Sequence, residues 1–145
     1  MTRKTALSDT RTYDSDSGDL RAVIETPRGS RNKFRYDPEC DCFELATALP
    51  EGMSFPFDFG FVPSTLGDDG DPLDLAVARH ARTHEGIKTL DQLRPHTLED
   101  ITAFFVDYNK LHGKKFEPVG QHGHHRGAKL VKRGAAAYEA HHHRR

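Results

Sequence analysis

Apolar and polar residues alternate over the first part of the chain at the spacing of β-strands. Residues 20–25 are rich in apolar and β-branched side chains and predict a first strand. Residues 32–36 predict a second strand, with Phe34 and Tyr36 on one face and basic residues on the other. Residues 42–45 predict a third. Short strands separated by turns are typical of a small antiparallel barrel or sandwich.

Four phenylalanines follow at every second position, namely Phe55, Phe57, Phe59 and Phe61. In an extended segment this spacing places the four rings on one side. Two interpretations stay open at this point. The rings line the core or the inside of a barrel, which we favour, or they form a platform on which nucleic acid bases stack.

The second half of the chain changes to the spacing of helices. Residues 89–93 predict a short helical segment that Pro95 ends. Apolar side chains recur from Leu98 to Leu111 at intervals of three and four, which predicts an amphipathic helix of about three to four turns. Thr97-Leu98-Glu99-Asp100 resembles a capping box at its start, and Gly113 ends it.

A Gly-rich stretch and a last helix complete the pattern. Residues 120–127 contain three histidines and favour a polar loop over a transition-metal site. Residues 128–140 predict a final helix that packs through Leu130, Val131 and Tyr138. Strands followed by helices predict an α+β fold, a small antiparallel β-barrel with two C-terminal helices.

Length and charge narrow the class of protein. The 145 residues suffice for one domain, which we place at residues 20–140. Residues 1–19 have almost nothing to bury and predict a flexible arm, and residues 141–145 form a polar His/Arg-rich tail. The net charge of −1 argues against a nucleic acid partner. No signal peptide or membrane-spanning run is present, so a cytoplasmic protein is expected.

The two cysteines, Cys40 and Cys42, stand two residues apart. This spacing is poorly suited to an unstrained disulfide, and two thiols alone do not complete a tetrahedral zinc site. We therefore expect free thiols, as in most proteins of a reducing compartment.

The densest chemical feature is an acidic turn at residues 66–75. Four carboxylates, those of Asp68, Asp69, Asp71 and Asp74, fall within seven residues. Such crowding raises the electrostatic energy unless a cation neutralises it. Carboxylate oxygens are hard ligands that suit Mg²⁺, Mn²⁺ or Ca²⁺. The turn therefore predicts a metal site, with an acidic surface turn as the alternative.

The string Asp69-Gly70-Asp71-Pro72-Leu73-Asp74 matches the pattern D-[SGDN]-D-[PE]-[LIVMF]-D of the family I soluble inorganic pyrophosphatases. Further segments resemble this family in the same order, and the resemblance spans about residues 20–135. These segments are residues 23–27, 29–34, 55–65, 104–109 and 113–116. The resemblance implies an OB-like barrel and Mg²⁺-dependent hydrolysis of pyrophosphate.

The resemblance also implies a role for each matching residue. Asp69 and Asp74 would bind Mg²⁺, and Glu25 would hold a further hydrated ion. Asp71 would accept a proton from the water that attacks phosphorus. The three residues that would contact pyrophosphate oxygens are Lys33, Tyr108 and Lys114. Family members commonly form homo-oligomers.

One family feature is missing. Members continue past the acidic pattern into a second acidic stretch of the form D-x-x-x-x-D-x-K, which supplies two more metal ligands and a lysine. Here only 22 residues separate Asp74 from Thr97, and they contain no such stretch. We therefore infer an internal deletion that leaves the barrel incomplete. Four further positions depart from the family's usual residues, and these are Arg35, Thr47, Phe59 and Asn109.

Three hypotheses follow. The first is an inorganic pyrophosphatase of reduced efficiency. The second is a pyrophosphatase-like protein that binds metal or phosphate without useful turnover. The third is a module that binds single-stranded nucleic acid through the phenylalanine stripe. The residues His80, Arg82 and His84 are more simply read as surface than as replacements for the missing acids.

Overall fold

The structure is a computed structural model that describes residues 6–77, 88–94 and 96–143. Its chain divides into two compact units. The first unit comprises Met1–Ala78 and Lys129–Arg145, and the second comprises Arg79–Ala128. The residues His80, Arg82 and His84 lie outside the described part of the chain.

The described residues of the first unit form five strands in two antiparallel sheets. One sheet has the order β1-β4-β5, and the other is the β2–β3 hairpin. The three predicted N-terminal strands are confirmed with shifted bounds. Within the described residues the strands do not close into a barrel. The strands are β1 (Val23–Thr26), β2 (Asn32–Asp37), β3 (Cys42–Ala48), β4 (Asp58–Phe61) and β5 (Asp74–Val77).

Strand β4 lies between β1 and β5 and approaches β1 very closely. Gly60 pairs with Ile24, and a Cβ built on Gly60 would lie 1.8 Å from the carbonyl oxygen of Val23. Only glycine allows this approach. The pairing then becomes irregular between Ile24 and Thr26, so Glu25 lies in a β-bulge.

Phenylalanine rings form the core of the first unit. Phe55, Phe57, Phe59 and Phe61 are each at most 6% exposed. The Phe55 and Phe59 ring centroids are 5.9 Å apart, and Phe61 lies 6.0 Å from the ring of Tyr36. The core interpretation is confirmed, and the stacking platform is wrong because the rings are not accessible to bases.

The prediction of free thiols is wrong, because Cys40 and Cys42 are joined in a disulfide at the β2–β3 turn. Asp41 between them adopts the left-handed conformation, with φ of 52°. This turn brings the two Cα atoms to 5.3 Å, a separation typical of disulfides. The sequence separation alone does not reveal this backbone conformation.

The segment before β1 is packed, although its sequence offers few apolar residues. Thr12 is 8% exposed and its hydroxyl donates to the carbonyl oxygen of Pro63, at 3.0 Å. The backbone N–H of Leu7 donates to the hydroxyl of Tyr36, and the N–H of Ser64 donates to the carbonyl oxygen of Ser8. Hydrogen bonds to the backbone therefore hold residues 6–19, where the sequence predicted an arm without packing. Flexibility of the arm stays a prediction.

The C-terminal helix α2 (His124–His142) begins four residues earlier than predicted. His124 and His125 therefore lie in the helix and not in a loop. Gly134 is buried, and a Cβ there would lie 2.8 Å from a methyl carbon of Leu73. This close packing places the helix against the end of the acidic turn. Leu130 is 45% exposed, so its predicted packing role is wrong.

The second unit contains a short 3-10 helix at Leu90–Gln92 and the helix α1 (Thr97–Leu111). The amphipathic helix is confirmed, and Gly113 follows its end with φ of 67°. Its predicted capping box is wrong. His96 occupies the N-cap position with a left-handed backbone and no side-chain cap, so Thr97 is already helical.

Among the residues that the structure describes, no helix has the length and apolar character needed to cross a bilayer.

We predict that Gly60→Ala strongly destabilises the protein. The added Cβ would overlap the backbone of Val23, which cannot move without breaking the β1–β4 pairing. Overpacking typically costs 1–3 kcal/mol, and a clash with backbone places Gly60→Ala at about 3 kcal/mol or more. Chemical denaturation measures this loss.

The matched control is Gly123→Ala. A Cβ at Gly123 would meet nothing within 4 Å. Because Gly123 precedes the first residue of α2, its replacement should cost only the roughly 0.5–1 kcal/mol of a lost N-cap residue. Equal stability of the two variants would contradict the close approach of β1 and β4.

Candidate metal and phosphate site

The acidic turn is closed by its own backbone. The N–H of Gly67 donates to the carbonyl oxygen of Asp71 at 2.7 Å, and the N–H of Gly70 donates to that of Gly67 at 3.1 Å. Gly70 has φ of 89°, a conformation that favours glycine. The carboxylate of Asp69 accepts a hydrogen bond from the N–H of Asp71 at 3.1 Å. Asp69 therefore helps to shape the turn as well as carrying charge.

Thr65 fixes this turn to the core. Its buried hydroxyl accepts from the N–H of Leu73 at 3.1 Å and donates to the carbonyl oxygen of Val62 at 2.6 Å. The N–H of Val62 also donates to the carbonyl oxygen of Leu73 at 2.9 Å. On the other side, the N–H of Leu66 donates to the carbonyl oxygen of Gly134 in α2. Both ends of the turn are therefore anchored to regular structure.

Asp68 is separated from the other acids by its own partner. Both of its carboxylate oxygens accept hydrogen bonds from Arg133 of α2, at 3.0 and 2.9 Å. The pair is exposed, so it contributes little to stability. Asp68 therefore stands apart from the cation-binding acids as one half of a surface ion pair.

Two further carboxylates flank β4 on its neighbouring strands. Asp74 begins β5 and pairs with Phe61 of β4. Glu25 lies in the bulge of β1, and its Oε1 accepts a hydrogen bond from the N–H of Tyr36 at 2.8 Å. The bulge and this bond together orient the Glu25 side chain.

The charges of these residues act on one another. Desolvation raises the pKa of Glu25, the charge of Asp74 raises it further, and Lys33 and Arg35 oppose the rise. Desolvation also raises the pKa of Asp74, where Asp69 and Asp71 add to the rise and Lys33 opposes it. The structure therefore brings together the predicted metal ligands and base with one of the predicted phosphate contacts.

These raised pKa values have a defined effect on stability. A carboxyl with a pKa above its unfolded value binds its proton more tightly in the folded state. Its contribution to stability is therefore present at acidic pH and is lost as the pH rises through the folded pKa. At neutral pH the charged forms of Glu25 and Asp74 lower the stability of the folded state, and a bound cation would reduce this destabilisation.

Lys33 on β2 is the cation common to both carboxyls. Its ammonium lies 5.4 Å from the ring centroid of Phe59. The aromatic face adds a favourable cation–π contact. Lys33 thus contacts a core ring and also offsets the charge of the acidic cluster, by which we mean Glu25, Asp69, Asp71 and Asp74.

The donor set fits a hard divalent cation. Three carboxylates, those of Glu25, Asp69 and Asp74, have the oxygen chemistry that Mg²⁺ prefers. Within the described residues they do not form a closed group of ligand atoms, because the one such group within 4.8 Å is Cys40, Cys42 and Glu44. An open carboxylate set suits Mg²⁺, which keeps several of its waters.

The other two predicted phosphate contacts lie in the second unit. Tyr108 is on α1, where its ring stacks on that of Phe104 with centroids 6.0 Å apart. Lys114 follows the helix, and its N–H donates to the carbonyl oxygen of Asn109 at 2.9 Å. Their roles stay predictions.

Sequence reasoning missed two polar contacts that hold acids of the site and one buried acid in the core. The backbone N–H of Tyr36 holds Glu25, and Arg133 holds Asp68 from 65 residues away. Asp58 is 2% exposed and accepts from the N–H of Arg28 at 2.8 Å. In the sequence, Asp58 could have been noticed because it is a single charged residue within the apolar stretch of residues 55–63. The other two leave no local pattern.

Comparison with known proteins defines the class. A family model described as inorganic pyrophosphatase matches residues 22–86. The Synechocystis inorganic pyrophosphatase is 30% identical over 139 residues, covering 72% of this chain and 82% of the relative. The Methanosarcina acetivorans inorganic pyrophosphatase is 30% identical over 151 residues, covering 80% and 90%.

Solved structures have the same fold. The crystal structure of inorganic pyrophosphatase from Thermus thermophilus superposes with a TM-score of 0.82 at 25% identity, covering 93% of this chain and 99% of that one. The Helicobacter pylori inorganic pyrophosphatase gives 0.80 at 25% identity, covering 90% and 99%. The fold class is therefore confirmed as that of the OB-like pyrophosphatases.

This chain belongs to the inorganic pyrophosphatase family. It is shorter than its relatives. The Methanosarcina match extends over 151 residues yet uses only 80% of these 145, so that relative has residues without a counterpart here. The comparison supports a deletion within the chain, and its position after Asp74 stays a prediction.

We predict that Asp74→Asn stabilises the metal-free protein at neutral pH, because it removes one negative charge beside those of Asp69 and Asp71. The same variant should lose most of the thermal stabilisation that Mg²⁺ gives to the parent. Thermal unfolding with and without Mg²⁺ measures both effects.

Asp19→Asn is the control, because Asp19 is exposed and lies outside the cluster. It should keep the parent's response to Mg²⁺. If Asp74→Asn and Asp19→Asn responded alike, Asp74 would not belong to a cation site.

Proposed function

We propose that the chain hydrolyses inorganic pyrophosphate to two phosphates in a metal-dependent reaction, and that the metal is Mg²⁺. The observation that carries the proposal is the cluster of Glu25, Lys33, Asp69, Asp71 and Asp74 on a pyrophosphatase fold. Pyrophosphate is small and highly anionic, so its site must combine cations with a means of activating water.

Asp69 and Asp74 hold one ion in this proposal, and Glu25 holds a further hydrated one. Bound Mg²⁺ supplies an acidified water and neutralises charge on the phosphoryl oxygens. Without a cation these carboxylates oppose one another, which agrees with the raised pKa values of Glu25 and Asp74.

Asp71 acts as the general base. Its carboxylate accepts a proton from the attacking water, whose oxygen forms the new bond to phosphorus while the bridging oxygen leaves with the second phosphate. The backbone of Asp71 is fixed by its bonds to Asp69 and Gly67. A base held in position contributes more than a mobile one, because its orientation is set before the reaction.

Lys33, Tyr108 and Lys114 bind the pyrophosphate oxygens. Lys33 also offsets the charge of Glu25 and Asp74, so it links the metal ligands to the substrate. Ammonium groups form charge-assisted hydrogen bonds to phosphate, which are the strong ones. The second acidic stretch of the family is missing, and with it two metal ligands and a lysine, so we expect a reduced rate.

The two competing hypotheses are less well supported. The relatives and structural neighbours are named inorganic pyrophosphatases, which does not favour a protein without turnover. Burial of Phe55, Phe57, Phe59 and Phe61 removes the surface on which a nucleic acid function depended.

Assembly and location complete the proposal. We place the chain in the cytoplasm as a homo-oligomer, following the family. The exposed side chains of Phe43 and Leu45 on β3 offer apolar surface for association. A reducing cytoplasm would convert the Cys40–Cys42 disulfide to two thiols.

The test is phosphate release from pyrophosphate with Mg²⁺. The parent should be active, and Asp71→Asn should lower kcat by about 10²-fold or more, the usual contribution of a general base. Asp68→Asn makes the same substitution three positions before Asp71. Because Asp68 pairs with Arg133, we expect activity within about twofold of the parent.

Folding of each variant is checked by thermal unfolding. An inactive parent would overturn the proposal. Equal activity of the Asp71→Asn and Asp68→Asn variants would overturn the role of Asp71.

A further inference from the structure

The β2–β3 hairpin carries a second group of ligand atoms. The sulfurs of Cys40 and Cys42 and a carboxylate oxygen of Glu44 all lie within 4.8 Å of one another. Cys40 and Glu44 are exposed and Cys42 is half-buried. None of the three belongs to the acidic cluster around Lys33.

We propose that the reduced hairpin binds one thiophilic divalent cation, such as Zn²⁺, through Cys40, Cys42 and Glu44. Two thiolates and one carboxylate match the ligand types of zinc and differ in kind from the all-oxygen set of the acidic turn. Three protein ligands leave the fourth tetrahedral position to water.

The backbone holds the donors close before any ion binds. Cys42 and Glu44 are two residues apart on β3, so their side chains share one face of the strand. Asp41 turns the chain back with φ of 52° and brings the Cα of Cys40 to 5.3 Å from that of Cys42. Two thiolates on one tetrahedral zinc lie roughly 3.8 Å apart, which this Cα separation allows.

The pairing of β2 with β3 fixes the positions of two of the ligand residues. Cys42 pairs with Asp37 and Glu44 pairs with Arg35 across the two strands. The hydroxyl of Tyr36 also donates to the carboxylate of Asp41 at 2.8 Å, which ties the turn to a buried ring. Reduction of the disulfide therefore leaves the turn with other restraints.

Glu44 can change partner at small cost. Its present ion pair with Arg35 is 3.8 Å long and exposed on both sides. Exposed pairs of this kind contribute roughly 0–1 kcal/mol. A cation held also by two thiolates would compete well for this carboxylate.

The oxidation state of the cysteines controls the site. The disulfide has no thiolate to offer, so the oxidised chain does not bind the ion here. Reduction by a phosphine breaks the S–S bond and gives two thiols, while the phosphine takes an oxygen atom from water and becomes its oxide. Binding of the cation then releases the thiol protons, so affinity rises with pH.

The test uses Cd²⁺ on the full chain, reduced with a phosphine and then freed of it without air. Cadmium bound to thiolate absorbs in the ultraviolet by charge transfer, and histidine ligands do not give this band. The reduced chain should therefore show it at one Cd²⁺ per chain despite its His-rich helix, and the oxidised chain should show none.

Glu44→Gln keeps both cysteines and should weaken Cd²⁺ binding by about tenfold or more. Glu39→Gln is the matched control, because Glu39 is exposed in the same turn and lies outside the ligand group. Zn²⁺ in large excess should compete for the same thiolates and weaken the band.

Three results would overturn the proposal. One is the absence of a thiolate band in the reduced chain. Another is equal affinity of the Glu44→Gln and Glu39→Gln variants. The last is a stoichiometry of one Cd²⁺ per two chains, which would assign the ion to four thiolates from two copies.

Discussion

The close approach of β1 and β4 at Gly60 is the contact on which the site depends. It sets Glu25 in the bulge beside Tyr36 on one side of β4, while β5 carries Asp74 on the other. Thr65 then links the acidic turn to the end of β4. Glu25 and Asp74, which come from separate strands, therefore share one electrostatic environment with Lys33. A side chain at residue 60 would disturb all of these relations at once.

In the absence of a bound cation, the like charges of the acidic cluster lower the stability of the folded protein. Desolvation and like charge raise the pKa values of Glu25 and Asp74. The N–H of Tyr36, Lys33 and Arg35 oppose the rise at Glu25, and Lys33 opposes it at Asp74. Functional sites commonly hold such unfavourable arrangements because a ligand relieves them. Anchoring by Thr65 and α2 keeps the turn folded in spite of the repulsion.

Much of this could be predicted from the sequence, because strand and helix spacing and the acidic pattern are local signals. They located β1 to β3, helix α1 and the acidic residues. The Cys40–Cys42 disulfide was missed because it depends on a left-handed Asp41, and the packing of residues 6–19 was missed because hydrogen bonds hold it. The orientation of Glu25 depends on a bulge and on a distant backbone N–H, and neither leaves a pattern in its neighbours.

The central claim is that the acidic turn and the first residue of β5 form one cation site. Calorimetric titration of Mg²⁺ into the parent, Asp69→Asn, Asp74→Asn and the double variant tests this most directly. If both carboxylates bind the same ion, either single substitution already disrupts the site. The double variant should then bind Mg²⁺ only slightly less tightly than whichever single variant binds it less tightly. Losses in binding free energy that simply add would show two independent positions and would contradict the account.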